Sequence, residues 1–143
     1  ATIKWPNDIY IKEKKIAGVL IENQLKGNLI KSVIVGIGLN VNQMEFNGFK
    51  ATSTKLETGQ NKLPHDLLFS FISAFNVQIT ELYAEKLHQE YLDKLYQRNK
   101  VASYKDGNGK FEGEIIDVLQ NGKLVIIKDG QEVFYDLKEI VFL

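Results

Sequence analysis

The residues best suited to chemistry lie in two short stretches. In "VGIGLNVN", residues 35 to 42, an extended chain puts Gly36, Gly38, Asn40 and Asn42 on one face. Val35, Ile37, Leu39 and Val41 fall on the other, which is expected to be packed. A glycine pair inside a strand costs stability and often marks the close approach of a ligand or another backbone. The two amides could read donors and acceptors on a polar ligand. From parity alone, a barrel bend or a helix packed on the glycines is the simpler account of the pattern. The stretch is not a dinucleotide fingerprint, because the third glycine is missing and no helical pattern follows.

The second stretch is "KWPNDIYIKEKKIAGVLIEN", residues 4 to 23. Lys15 closes a charged turn and enters an apolar run three residues before Gly18. A lysine there can lay its stem on apolar surface and hold its ammonium over a cleft. The competing reading is a solvated turn lysine, like Lys12 and Lys14. Asn7 and Asp8 follow Pro6, which stiffens the approach to the strand; Asp8 could equally be a strand-end cap. Trp5, the one tryptophan, is more often core than ligand platform. His65 and His88 have no second imidazole at metal spacing and read as surface or helix-end residues. Ser70 and Ser73 have no adjacent base, so a hydrolase triad is not supported.

Three kinds of element must position these residues. Residues 9 to 42 read as strands in a meander, with a turn at Lys12–Lys15 and a hairpin signal at Lys26-Gly27-Asn28. Ile16 to Leu25 is apolar on both parities as far as Ile21, as in a strand covered on two faces. Residues 43 to 63 read as a long loop. Pro64 then opens a helix whose apolar stripe is Leu68, Phe71, Ile72, Phe75, Ile79, Leu82 and Tyr83. Tyr91, Leu92, Leu95 and Tyr96 repeat the pattern after a break expected near His88. Two helices, or one bent helix, are expected over residues 65 to 98. From Val101 onward, turns at Asp106-Gly107-Asn108-Gly109, Asn121-Gly122 and Asp129-Gly130 suggest a small antiparallel barrel. At about 43 residues it is marginal as an independent core and is expected to lean on the first domain.

Composition narrows the class. The 143 residues are 44% hydrophobic and 25% charged, as in a globular domain. A formal net charge of zero argues against a nucleic-acid surface. The absence of cysteine excludes disulfides, thiolate metal sites and a thiol nucleophile, and is compatible with the cytoplasm, the expected location. No apolar run reaches the roughly 18 to 20 residues of a membrane span, and no signal peptide is evident.

"KWPND", "KKIAGVLIE" and "VIVGIGLNVN", in this order and spacing, resemble the bacterial biotin protein ligases, the biotin–[acetyl-CoA-carboxylase] ligases. The weaker "ATS" at 51 to 53 fits as well. The resemblance implies an α/β fold, a mixed sheet with covering helices, followed by a small SH3-like β-barrel. Residues 1–98 would be the C-terminal part of the catalytic domain and 99–143 the barrel domain. The family's Arg-Gly-rich biotin loop lies before "KWPND" and has no counterpart in residues 1 to 143. The chain is therefore expected to be truncated at its N-terminus and inactive alone.

The family's reaction joins biotin to ATP as biotinyl-AMP and then passes biotin to a lysine of a biotin carboxyl carrier protein. The resemblance makes Lys15 the catalytic lysine, stabilising charge on phosphate and carbonyl oxygens. It puts Gly18 beside biotin, where a side chain would collide with it. It places Asn40, Gly38 and, less firmly, Asn7 on the nucleotide side, and Asp8 near the phosphates through Mg²⁺. ATP, Mg²⁺ and biotin are then substrates, with no tightly bound cofactor. The partner is the carrier domain, with no nucleic acid and no membrane. Members often carry Gly-Glu before the final strand, whereas this chain has Lys138-Glu139. Two alternatives remain open: a lipoate–protein ligase, which shares the fold and a related lysine, and a non-catalytic protein-binding module.

Overall fold

The computed structural model describes residues 1–80 and 84–143. Two units emerge: residues 1–2 with 7–84, and residues 3–6 with 85–143.

One sheet is ordered β1–β2–β3–β4, with strands at Thr2–Lys4, Asp8–Ile11, Lys14–Lys26 and Leu29–Leu39; β2, β3 and β4 lie in the first unit. The expected strands are present, and β1 is an addition that its three residues were too short to announce. The pairs β2–β3 and β3–β4 are both antiparallel. Lys12 and Glu13 form the first connection, with Lys12 at φ +54°. Gly27, at φ +60°, opens the second, where glycine carries no steric penalty.

Two expectations about this sheet need correction. Ile16 and Ala17 are buried, but from Leu20 outward β3 is exposed, and so is the whole of β4. Neither two-face cover for Ile16–Leu25 nor packing for Val35, Ile37 and Leu39 exists among the described residues. Apolar composition states a preference for burial; a partner layer has to supply it.

The segment read as a loop contains a short helix, α1, at Thr54–Thr58. Ser53 caps it, its Oγ accepting from the Leu56 N–H at 3.2 Å. Gly59 ends it at φ +73°, donating to the Lys55 carbonyl. The cap signals stood in the sequence, six residues apart, but a helix this short carries no readable apolar period.

Pro64 opens the next helix, α2, Pro64–Thr80, as expected. Its stripe residues Leu68, Phe71, Ile72, Phe75 and Ile79 are exposed; Leu82 and Tyr83 lie outside the described residues. A third helix, α3, runs Ala84–Asp93. The break expected near His88 does not occur, since His88 sits inside α3, facing Asp117 at 3.3 Å.

The second unit carries strands β5 (Val101–Asp106), β6 (Gly109–Val118), β7 (Leu124–Lys128), β8 (Gln131–Tyr135) and β9 (Val141–Phe142). They form one antiparallel sheet in the order β8–β7–β6–β5–β9, with β8 and β9 at its edges. Asp129-Gly130 makes the β7–β8 turn with both residues at positive φ, the conformation a two-residue hairpin favours. The core gathers Tyr104, Ile115, Val118, Leu124, Ile126, Tyr135 and Ile140, together with Trp5, Leu92 and Leu95. Residues 3–6 join this unit through backbone bonds, Ile3 N–H to Lys94 C=O and Tyr96 N–H to Ile3 C=O, each 2.8 Å.

One ion cluster staples the sheet. Lys128 Nζ lies 2.8 Å from Asp106 Oδ2 and 4.1 Å from the Phe111 ring centroid. The Tyr135 hydroxyl donates to the same carboxylate oxygen at 3.0 Å. The Lys128 contact holds the Asp106 carboxyl below its ordinary range. Burial, with Asp106 second, pushes the Tyr135 hydroxyl up to about 12.

Lys138 stands where the Gly-Glu pattern has glycine, and its backbone conformation is one that favours glycine. It sits at φ +69°, in the left-handed region. Glu139 Oε2 accepts from the Asp136 N–H at 2.7 Å, and Glu139 N–H bonds the Asp136 carbonyl at 3.2 Å. Glutamate thus closes a tight turn that forces its neighbour to positive φ. A side chain there costs roughly 1–2 kcal/mol. Lys138→Gly is therefore expected to stabilise the protein by about 1 kcal/mol, read from thermal or urea unfolding. An unchanged or lowered midpoint would show that the turn carries no such strain.

Candidate active site

Strand pairing assembles the site within the first unit. Across the sheet, Asp8 stands opposite Gly18, and Gly18 opposite Gly38. Simple alternation would place Lys15 on the far face from Gly18, since they are three residues apart. A β-bulge prevents this. Ile9 pairs with Ala17 but Tyr10 pairs with Lys15, so Ile16 is an extra residue on β3. Bulges re-aim side chains, and this one returns Lys15 to the face of Asp8 and Gly18. Lys15 Nζ lies 2.6 Å from Asp8 Oδ1, with the side chains 42% and 27% exposed.

The glycines differ in what they leave open. A Cβ on Gly18 would stand 3.2 Å from Lys15 Nζ and 3.3 Å from Asp8 Oδ1. A Cβ on Gly38 would meet nothing within 4 Å, and one on Gly36 only Leu20 at ordinary contact distance. The face is therefore a bare backbone floor at Gly38, beside an ion pair at Gly18.

The ends of β3 and β4 are tied together by "ATS". Lys15 N–H donates to the Lys50 carbonyl at 3.0 Å, and Thr52 N–H returns to the Lys15 carbonyl at 2.8 Å. Asn40 N–H bonds the Ile16 carbonyl at 2.9 Å, and its side-chain Nδ2 donates to the Thr52 carbonyl at 3.0 Å. Thr52 and Ser53 are fully buried polar residues. Thr52 Oγ1 bonds Glu57 Oε1 at 2.6 Å, and Ser53 Oγ donates to the Gln43 carbonyl at 2.6 Å. This buried clamp was legible only as three small residues.

The expected residues thus fare differently. Lys15, Asp8, Gly18 and Gly38 come together on one face. Asn40 sits at the end of that row, half-buried, with its amide nitrogen already engaged. Asn42 leaves the group: its amide closes the loop on Lys62 through bonds of 2.7 and 2.9 Å. Asn7 gives its carbonyl to Val19 N–H at 2.8 Å and keeps an exposed side chain. Trp5 is core, in the other unit. Lys12 and Lys14 are exposed. Among the described residues no three His, Cys, Asp or Glu gather as a metal site.

Chemically, the arrangement is a fixed cation beside open backbone, walled by a buried clamp. That suits a flat or anionic ligand lying on the sheet. The comparisons agree on the class. Residues 1–40 match the biotin/lipoate A/B protein ligase family model. The chain is 32% identical over 136 residues to the bifunctional ligase/repressor BirA of Bacillus subtilis (strain 168), covering 87% of this chain and 41% of that one. It is 34% identical over 79 residues to the biotin–[acetyl-CoA-carboxylase] ligase of Paracoccus denitrificans, covering 51% and 33%. The biotin protein ligase of Aquifex aeolicus, solved in complex with biotin and ATP, superposes with a TM-score of 0.71 at 26% identity. That match covers 99% of this chain and 61% of the other. The resemblance to the biotin protein ligases therefore holds in sequence and in fold. The chain spans about two fifths of the length of the first curated relative.

Proposed function

We propose that these residues serve an ATP-dependent biotin–protein ligase. The observation that carries this reading is the Lys15–Asp8 pair on the Gly18–Gly38 row, inside the segment that matches the ligase family. Biotin's carboxylate oxygen attacks the α-phosphorus of ATP; the bond to the β-phosphate oxygen breaks and pyrophosphate leaves. A carrier-protein lysine then attacks the acyl carbon, AMP departs and the amine gives up a proton. Both steps build negative charge on oxygen. A fixed ammonium stabilises that charge most where it develops, which accelerates the step rather than merely binding the substrate.

In this reading Lys15 supplies the ammonium and Gly38 the open floor for the nucleotide side. Asn40 and Asn7 border that side. Mg²⁺ enters with ATP, and Asp8 is the contact the family resemblance implies for it; the geometry offers Asp8 another role, argued below. The protein partner is a biotin carboxyl carrier domain, and the setting is cytoplasmic. No described helix is long and apolar enough to cross a membrane. Residues 1–98 are assigned to the catalytic domain and 99–143 to an SH3-like barrel, supported by the five short antiparallel strands. The lipoate reading draws on the same family model, but the three strand motifs and the named relatives favour biotin. A purely binding module has no use for a lysine aimed by a bulge.

The test is ATP–pyrophosphate exchange by the full-length protein with biotin or lipoate as the acid. Exchange with biotin alone is expected. Exchange with lipoate alone would transfer the assignment to the lipoate ligases. Carrier capture with neither acid activated would favour the binding module.

A further inference from the structure

We propose that Asp8 and Gly18 are positioning residues that act through Lys15: Asp8 anchors the ammonium, and Gly18 keeps open the space in which it sits. This rests on Lys15 being the ligase lysine, and gives both residues roles other than those the family resemblance implies, Mg²⁺ for Asp8 and biotin clearance for Gly18.

A lysine side chain has four rotatable bonds and about 2 kcal/mol of rotamer entropy. Left alone, its ammonium samples a wide volume, whereas charge stabilisation needs it held within about 0.5 Å. Three features on β2 and β3 remove that freedom. The bulge at Ile16 turns Lys15 onto the Asp8 face. Asp8 Oδ1 then takes the ammonium at 2.6 Å. Gly18 supplies the room, because a methyl group there would press on Lys15 Nζ, Lys15 Cε and Asp8 Oδ1, all within 3.2–3.3 Å.

The backbone does not require glycine at this position. Gly18 is absent from the residues with positive φ, and lies in regular pairing with Asp8 and Gly38. What a side chain would crowd is the ion pair itself, whose atoms would have to give by a few tenths of an ångström. Gly38, its cross-strand partner, has no protein atom in the corresponding space. Two adjacent glycines on one face thus do different work: Gly18 clears the protein's own lysine, and Gly38 leaves open surface.

The experiment compares Asp8→Asn, Gly18→Ala and Lys15→Ala, alone and combined, in the full-length enzyme, by biotin-dependent ATP–pyrophosphate exchange. Misplacing a group by about 1 Å can cost about 10²-fold. Asp8→Asn is expected to lower kcat about 10- to 100-fold, and Gly18→Ala, which displaces the ammonium by less, roughly 3- to 10-fold, with the Mg²⁺ requirement and the KM for biotin little changed. Neither should slow the Lys15→Ala variant further, because residues acting through one another are not additive. If Asp8 binds Mg²⁺ instead, excess Mg²⁺ restores Asp8→Asn and its loss multiplies with that of Lys15→Ala. If Gly18 clears biotin instead, Gly18→Ala still raises KM for biotin in the Lys15→Ala background. Either result overturns the proposal for that residue. Crystal structures of the two single variants give a readout independent of the reaction. A displaced Lys15 Nζ in both supports the proposal, and an unmoved one overturns it. If Lys15→Ala itself retains full exchange, the ligase assignment of Lys15 fails, and the crystallographic readout still decides the positioning.

Discussion

Lys15→Ala is expected to slow biotinyl-adenylate formation by about 10²–10³, a transition-state loss of roughly 2.7–4 kcal/mol, while leaving the melting temperature almost unchanged. The pair it forms with Asp8 is partly exposed, 42% and 27%. Solvent screens such pairs, and they contribute about 1 kcal/mol or less to stability. The same ammonium is worth far more to a transition state whose charge develops beside it. Lys14→Ala, one residue away on the exposed turn side, should change neither rate nor stability. Pyrophosphate-exchange kinetics on both variants of the full-length protein make the comparison. Equal, small losses for the two lysines would return Lys15 to a solvated turn residue.

Trp5→Ala is expected to do the reverse, destabilising the protein by about 3–5 kcal/mol, as large-to-small aromatic truncations in a core do. Trp5 is 6% exposed and packs in the second unit's core with Leu92, Leu95 and Ile115 among its members. Its indole N–H donates to the Gly122 carbonyl at 2.9 Å. A domain is stable by about 5–15 kcal/mol, so the loss removes a large part of the margin. Thermal scans of the full-length protein should show the midpoint fall by about 10 °C or more. An unchanged midpoint combined with lost biotin binding would make Trp5 a ligand platform after all.

The Trp5 contact also accounts for how small the closing sheet is. Residues 101–143 do not complete their own core. Trp5, Leu92 and Leu95 from outside that range fill it, as its size suggested. The sequence did not indicate which residues would. Trp5 is nearly a hundred residues upstream of the sheet it supports, and no local pattern encodes such a pairing.

Local rules were legible where the physics is local. Gly27 and Asp129-Gly130 announce turns because positive φ favours glycine and, to a lesser degree, aspartate. Pro64 announces a helix start because its missing N–H is not needed there. Alternation in β4 marked the glycine row, and the three motifs pointed to the ligase family. The fate of individual side chains was not local. Asn40 and Asn42 look equivalent by parity, yet Asn42 is spent on Lys62 while Asn40 ties β4 to the Thr52 clamp. Apolar runs in β3, β4 and α2 stated a wish for burial that the described residues do not satisfy.

The sequence by itself determined the strands and turns from Asp8 to Leu39, the helix start at Pro64, the bare glycine face and the presence of a lysine and an aspartate near it. The tertiary structure alone decided that these two meet. Parity along one strand sets Lys15 against Gly18, and only the register of β3 on β2, with one extra residue at Ile16, reverses it. Register is a property of two strands together: a slip of one residue turns a side chain to the opposite face, and no single-strand pattern reveals it.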